Sequence, residues 1–184
     1  MAVSLHSSSF VRGFCPHSLK TRALVGEQAT KKVVVEKMPQ RHIIHLATHG
    51  LLDDIQGSGI PGAIALAPGE DDNGLLTARE ILDLNLSAEL VVLSACDTGR
   101  GQVTGDGIIG LSRSFILAGV PAMIVSLWSV PDAPTAFLME TFYRNLEVYG
   151  TDKAQALRQA MLATMRQHPD PKDCAAFTLV GEVK

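Results

Sequence analysis

No stretch of this sequence reaches the roughly 18 consecutive apolar residues that a membrane-crossing helix needs. The nearest approach, 115–128, is broken by Gly119, Pro121 and Ser126, and no membrane span is read. Cysteine is scarce. Cys15, Cys96 and Cys174 are odd in number and far apart, which excludes a closed disulfide framework and favours a reducing compartment, so a cytoplasmic location is expected. Charge of either sign is only weakly in excess: 16 Lys+Arg face 19 Asp+Glu, a net −3. Nothing here points to nucleic acid or to an anionic membrane. There is no Gly-x-Ser-x-Gly elbow for a serine hydrolase, no pair of close cysteines for zinc, and neither an internal repeat nor a low-complexity tract. What remains is a chain of 184 residues, 46% apolar, which suits one globular domain with a real core.

The first 26 residues lack Asp and Glu altogether. They carry Arg12, Lys20, Arg22, five Ser and Thr21. That is the composition of an organellar transit segment, and equally of a frayed terminus. Residues 1–23 are therefore expected to be unstructured or targeting-like, with organellar import as the alternative to the cytoplasm. Residues 24–184 are expected to form the domain.

From there the chain is clearly punctuated. Gln28 to Met38 reads as a short helix stopped by Pro39, although Val33-Val34-Val35 would also suit a strand. His42 to Thr48 reads as a buried strand, and Ala63 to Leu66 as a brief one. Thr77 and Glu80 form a capping box at the start of a helix ending near Leu84. Leu90 to Ala95 and Ala122 to Leu127 are apolar on both faces, as strands covered by helices on both sides must be. Helices are expected over Ile108 to Ala118, closed by Gly119, over Thr135 to Val148 and over Lys153 to Gln167, with a last strand at Ala176 to Val180. Alternating strands and helices predict an α/β fold: a three-layer α/β/α sandwich around a mostly parallel sheet.

In such sheets ligands bind beyond the carboxyl ends of the strands. His49 and Cys96 each follow a buried strand and each enter a Gly-containing loop. Were the two strands neighbours, an imidazole and a thiol would converge on one edge. A thiol relieved of its proton by a nearby His attacks carbonyl carbon. The backbone N–H groups of Gly50 and Cys96 are the candidate oxyanion donors, and His49 would protonate the leaving amine. Taken singly, a Cys after a strand is more often an inert small apolar residue, and a His at a strand end a plain loop residue. The joint placement carries the argument.

His-Leu-Ala-Thr-His-Gly at 45–50, followed by Leu-Ser-Ala-Cys-Asp-Thr-Gly at 93–99, resembles the CHAT domain, a caspase-like peptidase domain often joined to tetratricopeptide repeats. The likeness runs on in order through Leu24–Thr30, Leu75–Ile81, Gly105–Leu111, Ser126-Leu127-Trp128 and Ala175–Gly181, covering about 24–181. It implies a caspase-like fold, His49 and Cys96 as catalytic dyad, and cleavage of peptide bonds in a protein or peptide substrate through a thioester acyl-enzyme. No cofactor is implied. The alternative is an inactive relative that serves as an interaction module, binding tetratricopeptide-repeat proteins or a second copy of itself through an exposed sheet edge. A caspase-like sheet normally places two strands before the His-bearing one. Met1–Thr21 do not read as strands, so the first strands are expected to be missing, as in an N-terminally truncated domain, leaving an unpaired edge open to association.

Other motifs carry less. Gly105-x-Gly107-x-x-Gly110 matches a dinucleotide fingerprint by letter, but the preceding strand ends ten residues earlier, too far for the phosphate-binding turn. It is read as an active-site loop with Gly hinges. On a strand, His45 and His49 share a face about 13 Å apart, too far for one metal, so no metal is expected and His45 is read as a satisfied core histidine or a support for the site. Ser94, two before Cys96, is small and uncharged and offers no countercharge to a substrate side chain. Ser126 and Trp128 are candidates to line a peptide groove, and Asp106 and Asp132 to face a basic residue. All four also have plain structural readings: Trp128 as packing, Asp132 as a helix N-cap.

Overall fold

The computed structural model describes residues 2–7, 20–51, 62–70, 72–94 and 105–183. Its centre is three parallel strands: β3 (Ile43–Ala47), β7 (Leu90–Leu93) and β8 (Ala122–Ser126). Two further strands, β1 (Ala2–Ser7) and β2 (Lys20–Val25), extend the sheet beyond β3, and β9 (Phe177–Gly181) closes its other margin. The order is β2-β1-β3-β7-β8-β9, with β1, β2 and β9 each antiparallel to their neighbours.

The parity of each strand decides which residues meet which helices. Ile44 and Leu46 of β3, Val91 and Leu93 of β7, and Met123 and Val125 of β8 enter one core. Helices α1 (Lys31–Lys37), α2 (Ala78–Leu82) and α3 (Gly105–Leu117) cover it with Val34, Ile81, Leu111 and Phe115. Leu90, Val92, Ala122 and Ile124 face the other way. They meet α4 (Asp132–Glu147) and α5 (Lys153–Gln167) through Leu138, Phe142, Tyr143, Leu157 and Ala160. This is the three-layer α/β/α arrangement. Every residue of β7 and β8 is buried, as their two-faced apolar runs require.

Local chemistry explains most boundaries. Thr30 caps α1, its hydroxyl accepting from Val33 N–H, so the valine run is helical. The Thr77–Glu80 box is fully made: Glu80 N–H donates to Thr77 Oγ1 at 3.2 Å, and Thr77 N–H to Glu80 Oε2 at 2.9 Å. Gly119 follows α3 at φ +108°, where an added Cβ would lie 2.7 Å from Leu86 O, so only glycine turns the chain there without strain.

Two expectations are corrected. The first strands are present rather than missing. Val3 is wholly buried and stands opposite both Leu24 and Leu46, so β3 has a partner on that side. Hydroxyl- and base-rich composition masked a half-apolar alternation whose reason for being extended is pairing with β3, some 40 residues away. The Gly105–Gly110 fingerprint is also no loop: its backbone forms the first turns of α3. Residues 95–104, between β7 and this helix, lie outside the described residues.

Candidate functional site

The carboxyl ends of β3, β7 and β8 lie side by side. Leu46, Leu93 and Val125 form one row across the three strands. Ser94 N–H donates to Leu46 O at 3.1 Å, extending the β3–β7 ladder one residue past β7. His49, Cys96, Ser126 and Trp128 all follow or occupy this single edge in sequence.

His49 has a fixed backbone and an exposed ring. The chain leaves β3 into a small antiparallel sheet, β4 (Gly50–Leu51), β5 (Ala63–Ala65) and β6 (Leu75–Thr77). Thr48 Oγ1 donates to Ala65 O, and Ala65 N–H donates to His49 O at 2.9 Å. The main chain around the imidazole is thus clamped between two sheets, while the side chain stays in solvent. The same bond sets the backbone orientation of the next residue. Because His49 and Ala65 share a ladder hydrogen bond, the following pair, Gly50 opposite Ile64, takes the non-hydrogen-bonded position. The Gly50 N–H therefore points away from β5.

Cys96 lies outside the described residues. The ladder leading to it is described. Ile43 pairs with Leu90, Ile44 with Val91, His45 with Val92 and Leu46 with Leu93, a constant offset of 47 residues. His49 and Cys96 are separated by the same 47 residues.

His45 has a polar partner on each ring nitrogen. Its Nε2 lies 2.9 Å from Ser94 Oγ, and its Nδ1 lies 2.9 Å from the Tyr143 hydroxyl on α4. Its ring meets that of Tyr143 at 5.7 Å between centroids. Burial lowers its pKa to about 4, so the ring is neutral near pH 7. Burial, then the charge of Glu147, raises that of Tyr143. His45 is thus a satisfied histidine, and the structure brings Ser94 to it. Tyr143 carries no functional signal in the sequence, since Phe142-Tyr143 on an amphipathic helix signals only core.

Ser126 is buried at the end of β8, opposite Phe177 of β9. Trp128 Nε1–H donates to Lys172 O at 2.9 Å, and its ring packs on the α4/α5 core, which is the packing role. Asp132 is not the N-cap. Pro131 holds that position, and Asp132 is the exposed first residue of α4, where a carboxylate favours the helix dipole. Asp106 falls in the first turn of α3, its side chain outside the described residues. Among the described residues no three His, Cys, Asp or Glu side chains gather as a metal ion would need.

Glu147, at the last turn of α4, has its pKa raised to about 7 by burial. A carboxyl raised above its unfolded value contributes stability below about pH 4.5 and loses it as pH rises through about 7. His45 acts in the opposite sense: its lowered value removes stability as pH falls from 6.5 toward about 4. Glu147→Gln is expected to raise stability at pH 8 by about 1 kcal/mol, after discounting for its half exposure, and to change it little at pH 4. Urea midpoints at the two pH values check this; equal shifts at both would contradict it.

The family model for the CHAT domain matches residues 6–182. The chain is similar to tetratricopeptide repeat protein 28 of Mus musculus, 32% identical over 196 aligned positions, covering 89% of this chain and 8% of that protein. The Homo sapiens tetratricopeptide repeat protein 28 is 31% identical with the same coverage. The chain thus spans about 8% of the length of these curated relatives.

Proposed function

The chain belongs to the CHAT domain family, and from that premise we propose that it is a cysteine endopeptidase in which Cys96 is the nucleophile and His49 its acid–base partner. One observation carries the reading: β3 and β7 are adjacent and parallel, with a register offset equal to the spacing of His49 and Cys96.

The chemistry follows from those positions. The Cys96 thiol gives its proton to His49, and the thiolate attacks the carbonyl carbon of a peptide bond. The carbonyl π electrons move to oxygen, and the N–H groups of Gly50 and Cys96 receive the negative charge. As the C–N bond breaks, His49 returns its proton to the departing amine and a thioester remains. Water, losing a proton to His49, adds to the thioester carbonyl. Breakage of the C–S bond releases the carboxyl product and restores the thiolate. Neutral His45 does not compete for that proton near pH 7. Ser94, Ser126 and Trp128 border the edge where an extended peptide would lie. Asp106 and Asp132 are the proposed negative charges for a basic residue.

Alkylation tests the dyad. Iodoacetamide is expected to modify Cys96 near neutral pH at least tenfold faster than an unperturbed thiol, because an imidazole-paired thiol is ionised there. His49→Ala should remove that advantage. Equal rates in the wild type and His49→Ala would defeat the proposal and leave a binding module.

A further inference from the structure

We propose that His45 is a positioning residue, tying the α4 layer through Tyr143 to Ser94 and so holding the exit of β7, two residues before the nucleophile; this rests on the Cys96–His49 reading.

The link is diagonal. His45 is level with Val92, not with Ser94. Its ring therefore reaches forward by two residues, about 6.6 Å of strand, to bond Ser94 Oγ at 2.9 Å. Both ends of the link are fixed. Ser94 is buried and its N–H is held by Leu46 O. Tyr143 is 2% exposed and stands beside Phe142 at 5.0 Å between ring centroids.

The link also has a direction. A phenol is a stronger donor than a serine hydroxyl. Tyr143 therefore gives its O–H to Nδ1, and Nε2–H goes to Ser94 Oγ. Ser94 then keeps its own hydrogen to donate onward. A neutral ring is required for this pattern, since an imidazolium would offer Nδ1 no lone pair. The groups facing the link are Tyr143 and Glu147 from α4 and Ser94, just past β7. An apolar residue at position 45 would pack but would leave the Ser94 hydroxyl and the Tyr143 hydroxyl without this bridge.

The experiment uses the full chain and follows iodoacetamide modification of Cys96 from pH 5 to 9. The variants are Tyr143→Phe, Ser94→Ala, His45→Leu, His45→Gln and His49→Ala, with circular dichroism as a check on folding. Misplacement of a reacting group by about 1 Å costs up to about 100-fold. Tyr143→Phe, which removes one oxygen and little else, and Ser94→Ala should slow modification at pH 7 by about tenfold and move the midpoint of its pH profile up by about one unit. His45→Leu should do the same, and His45→Gln, which both accepts and donates, should recover most of the rate. A merely structural role would lower the folded fraction without moving the midpoint. Wild-type profiles in Tyr143→Phe and Ser94→Ala, beside a slowed His49→Ala, would overturn the inference and leave the dyad standing. Wild-type behaviour in His49→Ala would overturn both.

Discussion

Cys96→Ala and His49→Ala are each expected to reduce hydrolysis of a fluorogenic peptide pool by about 10⁴-fold or more. The size follows from what each residue supplies. Without the thiol there is no covalent route, and attack by water must replace an intramolecular-like step. Without the imidazole the thiol is largely protonated at neutral pH, and the amine leaves without a proton. In the proposed dyad the two act as one unit, so the double variant should be no slower than Cys96→Ala alone. A His49→Ala enzyme within tenfold of wild type would show that proton transfer is handled elsewhere. Additive losses in the double variant would show that the two residues do not share a step.

Phe142→Ala should destabilise the fold by about 4 kcal/mol. Phe142 is wholly buried, in the core that also holds Leu138, Leu157 and Ala160. Removing its ring forfeits both the transfer of apolar surface from water and the contacts lining the cavity left behind. Against a total stability of about 5–15 kcal/mol this is a large fraction, and it corresponds to a fall in Tm of about 10 °C for a chain of this size. Tyr149→Ala, at a residue 66% exposed, should change stability by less than about 0.5 kcal/mol. Urea unfolding of the two variants measures the contrast; a loss below about 1 kcal/mol for Phe142→Ala would mean that the α4/α5 layer closes over the gap. Because Tyr143 is the next residue on α4, the same variant should also slow Cys96 alkylation before it unfolds the chain.

Features set within a few residues were legible in the amino-acid order. The Thr77–Glu80 box is an i, i+3 exchange of hydrogen bonds and needs no partner elsewhere. The span of α5, Lys153–Gln167, matches the helix expected there, and its buried face holds Ala156, Leu157 and Ala160 at helical spacing. The doubly apolar runs of β7 and β8 announced central strands. From these came the α/β class, the layer arrangement and the sheet edge on which His49 lies.

Tertiary structure alone decided what depends on distant partners. β1 is half polar, and β3 opposite makes it a strand. The antiparallel direction of β9 comes from its pairing with β8. The Tyr143–His45 contact joins residues 98 apart, and no local pattern encodes it. A hydrogen bond between remote side chains exists only once two layers have packed, and packing responds to the whole set of buried surfaces rather than to any one segment.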